Sequence, residues 1–448
     1  MIPIPEIDPQ RGCGEASPAQ KILKQGGQTN PSIGAVGNQR PAHAHESEPR
    51  VVVVTFPFAS QSVNVLIADF TSKIARVAPN PHLIAHLERD GTTLTHWMVD
   101  QIPFRMHYSA AGHPIRSNLW WLIKLAAYQL IASVHLFRIR KLVDGAIFYM
   151  VGPYAPGPLA TCRLLGIPSV MIVTESLELE PGSRTLVARV VFGLRELSLA
   201  LVCSLAVESA ALKQSSLLTD LEWKILDFEV PRGTNFVDFR PLRPASNRPM
   251  KFGYVGRLTE QKGFLTFVQA ASEVLRRIAG ASCKVVGSGP LDAEARSLAL
   301  RQPHGQVDYT RWMEHAKIPE VMNSLRLLVL PSRTEGLPTV IIEAMACGTP
   351  VLATEVGGIG EIIRERETGF VVHAEDPHSL AKAIERALND PDLDMIAERA
   401  RKLVTARFSD ASIEANLSRL VNSLFSTDDA WSLPSDSDPE DPHNAPLP

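Results

Sequence analysis

The segment from Leu325 to Glu361 most constrains the fold of this chain. It begins with an unbroken apolar run, LRLLVLPS, which is typical of a parallel strand covered on both faces. A helical pattern follows, TVIIEAMAC, with Pro338 where a helix would begin and Gly348 where it would end. A second strand pattern, PVLAT, and a glycine-rich loop complete the segment. This order predicts a βαβ unit of a parallel sheet.

Two glutamates in this segment indicate a ligand. Glu335 follows the first strand and Glu343 lies on the helix. In an open α/β sheet, ligands bind at the carboxyl ends of the strands, and N–H groups of Gly336 and Leu337 near the helix start favour anionic oxygens. Carboxylates accept hydrogen bonds from hydroxyls. We therefore predict a ligand with phosphates and vicinal hydroxyls, as in a nucleotide sugar. The alternative is an ordinary βαβ unit with two solvated glutamates.

The bulk composition predicts two or three globular domains. The chain has 448 residues, of which 45% are hydrophobic and 21% are charged. A formal net charge of −3 gives no support to a nucleic-acid partner. The five cysteines show no CxxC or CxxH spacing, so we expect reduced thiols rather than a zinc site or disulfides. Reduced thiols predict a cytoplasmic protein, and the first residues show no signal-peptide pattern.

Changes in composition divide the chain into five parts. Residues 1–49 are rich in Pro, Gly, Gln and Ser, and we expect a disordered arm there. Alternating strand and helix patterns predict two doubly wound parallel α/β domains, over 50–245 and 246–408, separated by a proline-rich linker. A last amphipathic helix is predicted over 409–425. Residues 426–448 are acidic and proline-rich, and we expect a disordered tail.

A long apolar helix is predicted in the first domain. The sequence LWWLIKLAAYQLIASVHLF over residues 119–137 is long enough to span a membrane, but Lys124, Gln129 and His135 interrupt it. These polar residues do not collect on one face. We therefore predict a mostly buried helix rather than a membrane span.

A second helix of the first domain, over residues 183–202, is basic and amphipathic. Arg184, Arg189 and Arg195 lie largely outside its apolar stripe. The residues of the stripe are Leu186, Val190, Leu194, Leu197 and Leu201. We favour a surface helix with one face in the core. The alternative is a peripheral contact with the inner face of the membrane, which would fit a lipid-linked partner.

Two cations follow the first strand of the second domain. Arg257 and Lys262 lie in the loop GRLTEQKG. Because parallel strands end at the same edge of a sheet, we expect this loop to share a cleft with the two glutamates. Gly256 and Gly263 allow close approach of the backbone to a ligand. Two charge-assisted contacts from these cations fit a diphosphate.

Several motifs resemble those of glycosyltransferase family 4, the retaining "glycosyl transferases group 1" type. They are VGRLTEQKG, VVGSGP, LVLPSRTEGLPTVIIEAMACGTPVLATEVGGIGEII and ETGFVV. The resemblance covers roughly residues 50–425 and is most specific over 252–372. It implies the GT-B fold, with two Rossmann-like domains facing a nucleotide-sugar cleft and a last helix that returns to the first domain. It also implies a retaining hexosyltransferase that needs no metal ion or other cofactor.

The resemblance further implies roles for single residues. Arg257 and Lys262 would hold the donor diphosphate, and Glu335 would accept hydroxyls of the donor sugar; these three are the catalytic candidates. Glu343 would hold the ribose, and the loop that starts at Gly287 would lie near the base. The donor-binding candidates are thus Gly256, Gly287, Gly289, Gly336, Leu337 and Glu343. No metal ligand is predicted, because the only DxD pattern considered, Asp436 to Asp438, lies in the acidic tail.

The first domain departs from the family pattern in two loops. FPFASQSVN stands where members often carry a Gly-Gly loop, and Thr174, Glu175 or Ser176 stands near the place of a histidine. The acceptor, a glycan or a lipid-linked molecule, is therefore left open. Two alternatives to a transferase follow. One is a catalytically degenerate nucleotide-sugar-binding protein or scaffold; the other is a different GT-B enzyme, such as a nucleotide-sugar epimerase or a phosphorylase.

Overall fold

The structure is a computed structural model that describes residues 49–56, 61–85, 98–103, 119–151, 155–174, 186–214, 218–232, 234, 236–373 and 376–425. Several predictions fall outside these residues: the arm over 1–49 except for its last residue, the tail over 426–448 with Asp436 to Asp438, part of FPFASQSVN, and Glu175 and Ser176.

Strands and helices alternate through most of the described part of the first domain. Its strands are β1 (Val51–Val54), β2 (His82–Ala85), β3 (Met98–Gln101), β4 (Gly145–Phe148), β5 (Ser169–Val173), β6 (Ser204–Val207) and β7 (Ile225–Glu229). Its helices are α1 (Gln61–Val77), α2 (Leu119–Ile139), α3 (Pro156–Leu165), α4 (Leu186–Leu201) and α5 (Ala210–Lys213). Within the described residues the seven strands form one sheet in the order β3-β2-β1-β4-β5-β6-β7.

The second domain repeats this alternation. Its strands are β8 (Lys251–Val255), β9 (Ser282–Val286), β10 (Val307–Thr310), β11 (Leu327–Leu330), β12 (Val351–Ala353) and β13 (Phe370–Val371), in the order β10-β9-β8-β11-β12-β13. The helices that follow β8 are α6 (Phe264–Arg277), α7 (Asp292–Arg301), α8 (Ile318–Ser324), α9 (Thr339–Ala346), α10 (Pro377–Leu388), α11 (Leu393–Phe408) and α12 (Asp410–Ser423).

Every described strand pairing in the two sheets is parallel. The central strands are apolar runs with both faces covered: the four residues of β1 and the four residues of β11 are all buried. Such runs form only where helices cover both faces of a sheet. The predicted α/β class with two doubly wound parallel sheets is therefore confirmed.

The last helix, α12, packs in the core of the first domain. Ile413 and Leu417 are buried in one cluster with Val51 of β1 and with residues of α1. At the rim of this contact, Lys73 of α1 approaches Asp410 of α12 to 3.9 Å. The chain thus completes the second sheet and then returns to the first.

The prediction that α2 is mostly buried is wrong. Leu130 is 67% exposed and Phe137 is 53% exposed. Only 28% of the stretch Leu122–Ile139 is buried, and by length and composition this is the one helix among the described residues that could cross a membrane. The sequence does not show how much of α2 is buried, because apolar residues occur on all sides of the helix. Their pattern therefore does not identify the side that packs against the rest of the protein.

The predicted core stripe of α4 is also wrong in part. Val190 and Leu197, which we placed in the core, are 38% and 50% exposed. Arg195, which we placed largely outside the stripe, is only 4% exposed. Its guanidinium pairs with Glu196 at 2.7 Å and lies 4.4 Å from the centre of the Phe192 ring. Charge pairing and a cation–π contact let an arginine occupy a buried position.

A glycine lets the loop after β8 pack closely against the backbone just after β11. Gly263 has φ +66°, and a Cβ at this residue would lie 1.7 Å from the carbonyl oxygen of Pro331. No other residue permits this approach, because the other side chains begin with a Cβ. The contact fixes the start of α6 against the loop that carries Glu335.

We expect Gly263→Ala to destabilise the protein strongly. A left-handed conformation costs a non-glycine residue about 1–2 kcal/mol, and overpacking against the carbonyl adds roughly 1–3 kcal/mol. The matched control is Gly305→Ala, because Gly305 has φ +83° with no atom within 4 Å of the added Cβ. Urea unfolding measures both. Equal losses of stability in the two variants would show that the Pro331 contact contributes nothing.

Candidate active site

Lys262 and Glu335 contact each other at the carboxyl edge of the second sheet. Lys262 Nζ donates to Glu335 Oε2, and Ser332 Oγ donates to Glu335 Oε1 at 2.6 Å. The Glu335 side chain is 5% exposed and that of Lys262 is 18% exposed. The structure therefore brings together two of the three predicted catalytic residues. A buried carboxylate is stable here because each of its oxygens accepts a hydrogen bond.

The pair keeps hydrogen-bonding capacity for a ligand. An ammonium group has three donors, and a carboxylate has about four acceptor positions. Lys262 can therefore hold Glu335 and still donate to an anionic oxygen, while Glu335 can still accept from hydroxyls. The prediction missed Ser332, although its position at the end of β11 places it at the ligand edge of the sheet.

Arg257 lies at the same edge, two residues after β8, and is exposed. Its carbonyl oxygen accepts from the Tyr254 hydroxyl at 2.7 Å. Burial raises the pKa of Tyr254, so the phenol stays a neutral donor at physiological pH. Among the described residues, the Arg257 guanidinium has no carboxylate partner within 4 Å. The loop is thus anchored through its backbone, and the guanidinium faces solvent.

The loops after β8 and β9 pack backbone against backbone. Leu258 N donates to Ser288 O at 3.1 Å. A Cβ at Gly287 would lie 1.9 Å from the carbonyl oxygen of Gly256, and one at Gly289 would lie 2.4 Å from that of Leu258. These predicted donor-binding glycines therefore have a structural reason to be glycine. Their packing places both loops together at the ligand edge.

Glu343 pairs with a histidine that the prediction missed. His315 Nε2 lies 2.9 Å from Glu343 Oε1, and the Glu343 side chain is 10% exposed. The hydrogen bond to Glu343 raises the pKa of His315, although burial of the ring opposes this. The two predicted carboxylates thus have different partners. The sequence could have indicated His315 as a site residue, because it follows β10 and strands of a parallel sheet end at the same edge.

Gly336 and Leu337 lie just before α9 rather than in its first turn. The helix begins at Thr339 with Pro338 as its N-cap, one residue later than predicted. Gly358 N donates to Gly336 O at 2.7 Å, and Leu337 is 2% exposed. The segment from Glu335 to the helix start is therefore covered by the glycine-rich loop after β12.

That glycine-rich loop also contacts the first domain. A Cβ at Gly358 would lie 3.2 Å from Ser209 Oγ, which follows β6. Three residues later, Glu361 Oε1 accepts from Ala211 N at 2.8 Å. The candidate site therefore lies where the carboxyl edges of the two sheets meet. The sequence did not predict these contacts, because they join segments far apart in the chain.

An arginine reinforces this boundary. Arg407 Nη2 donates to Glu361 Oε2 and to Glu229 Oε2, both at 2.6 Å. Although burial opposes ionisation, these two hydrogen bonds raise the pKa of Arg407. Glu229 belongs to the first sheet, so one guanidinium joins carboxylates of both domains.

No group of three or more His, Cys, Asp or Glu side chains that could hold a metal ion occurs in the part of the chain that the structure describes. The four cysteines in that part, Cys162, Cys203, Cys283 and Cys347, are free thiols.

We expect Glu343→Gln to lower the pH at which His315 titrates, because the hydrogen bond to the carboxylate raises its pKa above the ordinary value of 6.5. The protonated ring is favoured in the folded state. Its contribution to stability is therefore complete below pH 6.5 and is lost as the pH rises through the raised pKa. NMR of the ring protons measures the titration.

The control for this measurement is Glu320→Gln, which removes an exposed carboxylate of α8. It should leave the His315 titration unchanged. An unchanged titration in Glu343→Gln as well would contradict the pairing.

Comparison with known proteins identifies the second domain. Residues 239–403 match the family model described as "Glycosyl transferases group 1". The chain is 29% identical over 329 residues to an alpha-D-kanosaminyltransferase of Streptomyces kanamyceticus, covering 68% of this chain and 81% of that protein. It is 34% identical over 176 residues to a 2-deoxystreptamine N-acetyl-D-glucosaminyltransferase of Streptomyces fradiae, covering 38% of this chain and 40% of that protein.

Solved structures share the whole fold. The Anabaena protein HepE, crystallised with UDP, superposes with a TM-score of 0.64 at 16% identity and covers 84% of this chain and 100% of its own. Sucrose-phosphate synthase of Thermosynechococcus elongatus superposes with a TM-score of 0.63 at 18% identity, covering 84% of this chain and 99% of its own. Residues 239–403 of this chain therefore form a glycosyl transferases group 1 domain, and the two-sheet chain that carries it has the GT-B fold.

Proposed function

We propose that this protein transfers a sugar from a nucleoside-diphosphate sugar to an acceptor. The observation that carries the proposal is the Lys262–Glu335 pair, a cation and a hydroxyl acceptor held together at the carboxyl edge of the second sheet. A cation that can bind phosphate and a carboxylate that can accept from hydroxyls therefore lie side by side, which supports a ligand that carries both groups. The HepE structures with UDP and with UDP-glucose support this choice of donor class.

Each site residue has a role in this proposal. Arg257 and Lys262 bind the donor diphosphate, and Glu335 accepts from hydroxyls of the donor sugar. Glu343 accepts from the ribose hydroxyls, with its carboxylate oriented by His315. The backbone of Gly336 and the loops at Gly256, Gly287 and Gly289, with buried Leu337, shape the pocket around the donor.

The proposed reaction retains the anomeric configuration and uses no metal ion. The bond between the anomeric carbon and the diphosphate oxygen breaks, and negative charge develops on the leaving group. Arg257 and Lys262 stabilise this charge, because cations placed beside the leaving group offset the negative charge that develops on it. The acceptor oxygen attacks from the face of the leaving group, and its proton passes to the departing phosphate.

The acceptor is proposed to be a glycan, a lipid-linked molecule or a small aminocyclitol. The first two classes follow from the sequence, and the third follows from the name of the 2-deoxystreptamine-specific relative. A cytoplasmic location agrees with the four free cysteines among the described residues.

One observation favours a second candidate, a nucleotide-sugar-binding protein without transferase activity. Thr174 follows β5, near the place where the resemblance to glycosyltransferase family 4 leads us to expect a histidine. A thermal-shift screen of nucleotide sugars would reveal the donor, since a ligand at 100 times its Kd stabilises a protein by about 2.7 kcal/mol. Donor binding without hydrolysis, epimerisation or transfer to any acceptor of a broad panel would favour this candidate.

We expect Arg257→Ala and Lys262→Ala each to lower turnover at saturating donor by on the order of 10²–10³, as loss of one preorganised charge-stabilising group does. Release of the nucleoside diphosphate measures turnover. The control is Lys402→Ala, since Lys402 is 74% exposed on α11 and pairs with Glu398 of the same helix. Full turnover in both site variants would exclude these residues from the reaction.

A further inference from the structure

The outer face of α2 is apolar and uncovered. Four large side chains on this face are between 39% and 67% exposed: Ile123, Leu130, Val134 and Phe137. At 3.6 residues per turn they fall within one sector of about 60° and extend along about 21 Å of the helix. We call this set the outer stripe. Single exposed apolar residues are normal on a protein surface, but a continuous stripe marks a contact with a partner or a membrane.

The opposite face of α2 holds the helix to the protein. Tyr128 and Leu136 are fully buried, and the Tyr128 ring packs 5.0 Å from that of Phe56. Gln129 Oε1 accepts from Gly157 N at 2.8 Å, in the first turn of α3. The helix is therefore anchored in the core of the first domain, and none of the described residues covers the outer stripe.

The charged residues of α2 and of the four residues that follow it are all positive. Residues 119–143 contain Lys124, Arg138, Arg140 and Lys141 but no Asp or Glu. The last three of these cations are exposed at the carboxyl end of the helix. The Arg140 guanidinium lies 4.1 Å from the centre of the Phe137 ring, so the stripe passes directly into the cations.

From this arrangement we propose that α2 rests on an anionic lipid bilayer, with the outer stripe in the acyl boundary and the cations among the headgroups. An interfacial helix of this kind combines an apolar face with basic residues. A second copy of the chain is a poorer occupant, because α2 offers no carboxylate to pair with the facing cations. The proposal concerns this surface alone and does not depend on the transferase reaction.

The test is sedimentation of the full chain with two kinds of vesicle, phosphatidylcholine alone and phosphatidylcholine mixed with phosphatidylglycerol. We expect binding to the mixed vesicles only, decreasing as salt is raised. Each basic residue near an anionic surface contributes roughly fivefold to partitioning. Replacing the three terminal cations, Arg138, Arg140 and Lys141, with Gln should therefore weaken binding on the order of 100-fold.

The stripe is tested by the double variant Leu130→Glu and Phe137→Glu, which should weaken vesicle binding at least about tenfold. Its matched control is Leu300→Glu with Met395→Glu, since these residues are 85% and 55% exposed on helices of the second domain and add the same charge. Thermal unfolding shows whether each variant is folded. The proposal is supported if the control variant binds the mixed vesicles as tightly as the wild-type protein does.

Four results would overturn it. They are no binding to the mixed vesicles at low salt, equal loss of binding in the control, retention in the membrane after an alkaline carbonate wash, and self-association without lipid that the stripe variant abolishes. The third would show a membrane-spanning helix, and the fourth would show that a second copy covers the stripe.

Discussion

The candidate site depends on backbone contacts that only glycine permits. At Gly263 a side chain would meet the carbonyl oxygen of Pro331 at 1.7 Å, and at Gly357 it would meet that of Glu335 at 1.9 Å. These contacts bring the loops after β8, β11 and β12 to one place. Lys262 reaches Glu335 because the residue that follows it lies directly on the β11 loop. The geometry of the site is therefore set by main-chain contacts between these loops.

Each carboxylate of the site is already partnered in this structure. Glu335 accepts from Lys262 and Ser332, and Glu343 lies against His315. These partners stabilise two nearly buried charges that would otherwise be costly to remove from water. The same hydrogen bonds orient the carboxylates toward the ligand edge, so a donor meets oxygens that are fixed before it arrives. Preorganisation of this kind reduces the cost of binding.

The first domain contacts the second domain at the boundary of the site. Ser209 lies against Gly358, and Arg407 joins Glu361 of the second domain to Glu229 of the first. The last helix, α12, adds a hydrophobic contact with α1 and β1. These connections place the carboxyl edges of the two sheets together. Because the glycine-rich loop contacts the first domain directly, a shift of one domain relative to the other would also move this loop.

The sequence by itself determined the sheet class and the order of elements in the second domain, and it predicted Arg257, Lys262, Glu335 and Glu343 as residues of the site. Apolar runs, helix stops and glycine loops are local patterns, and their spacing fixes which residues follow each strand. Parallel strands then place those residues at one edge.

Only the tertiary structure decided which residues pair and which surfaces stay exposed. His315 and Glu343 are 28 residues apart in the chain, and Glu229 and Arg407 are 178 apart, so no local pattern joins them. Helix α2 is apolar on every side in sequence, and packing alone decided that Tyr128 faces the core while Leu130 faces outward. The physical reason is that periodicity describes one element at a time, whereas burial and charge pairing depend on what the neighbouring elements present.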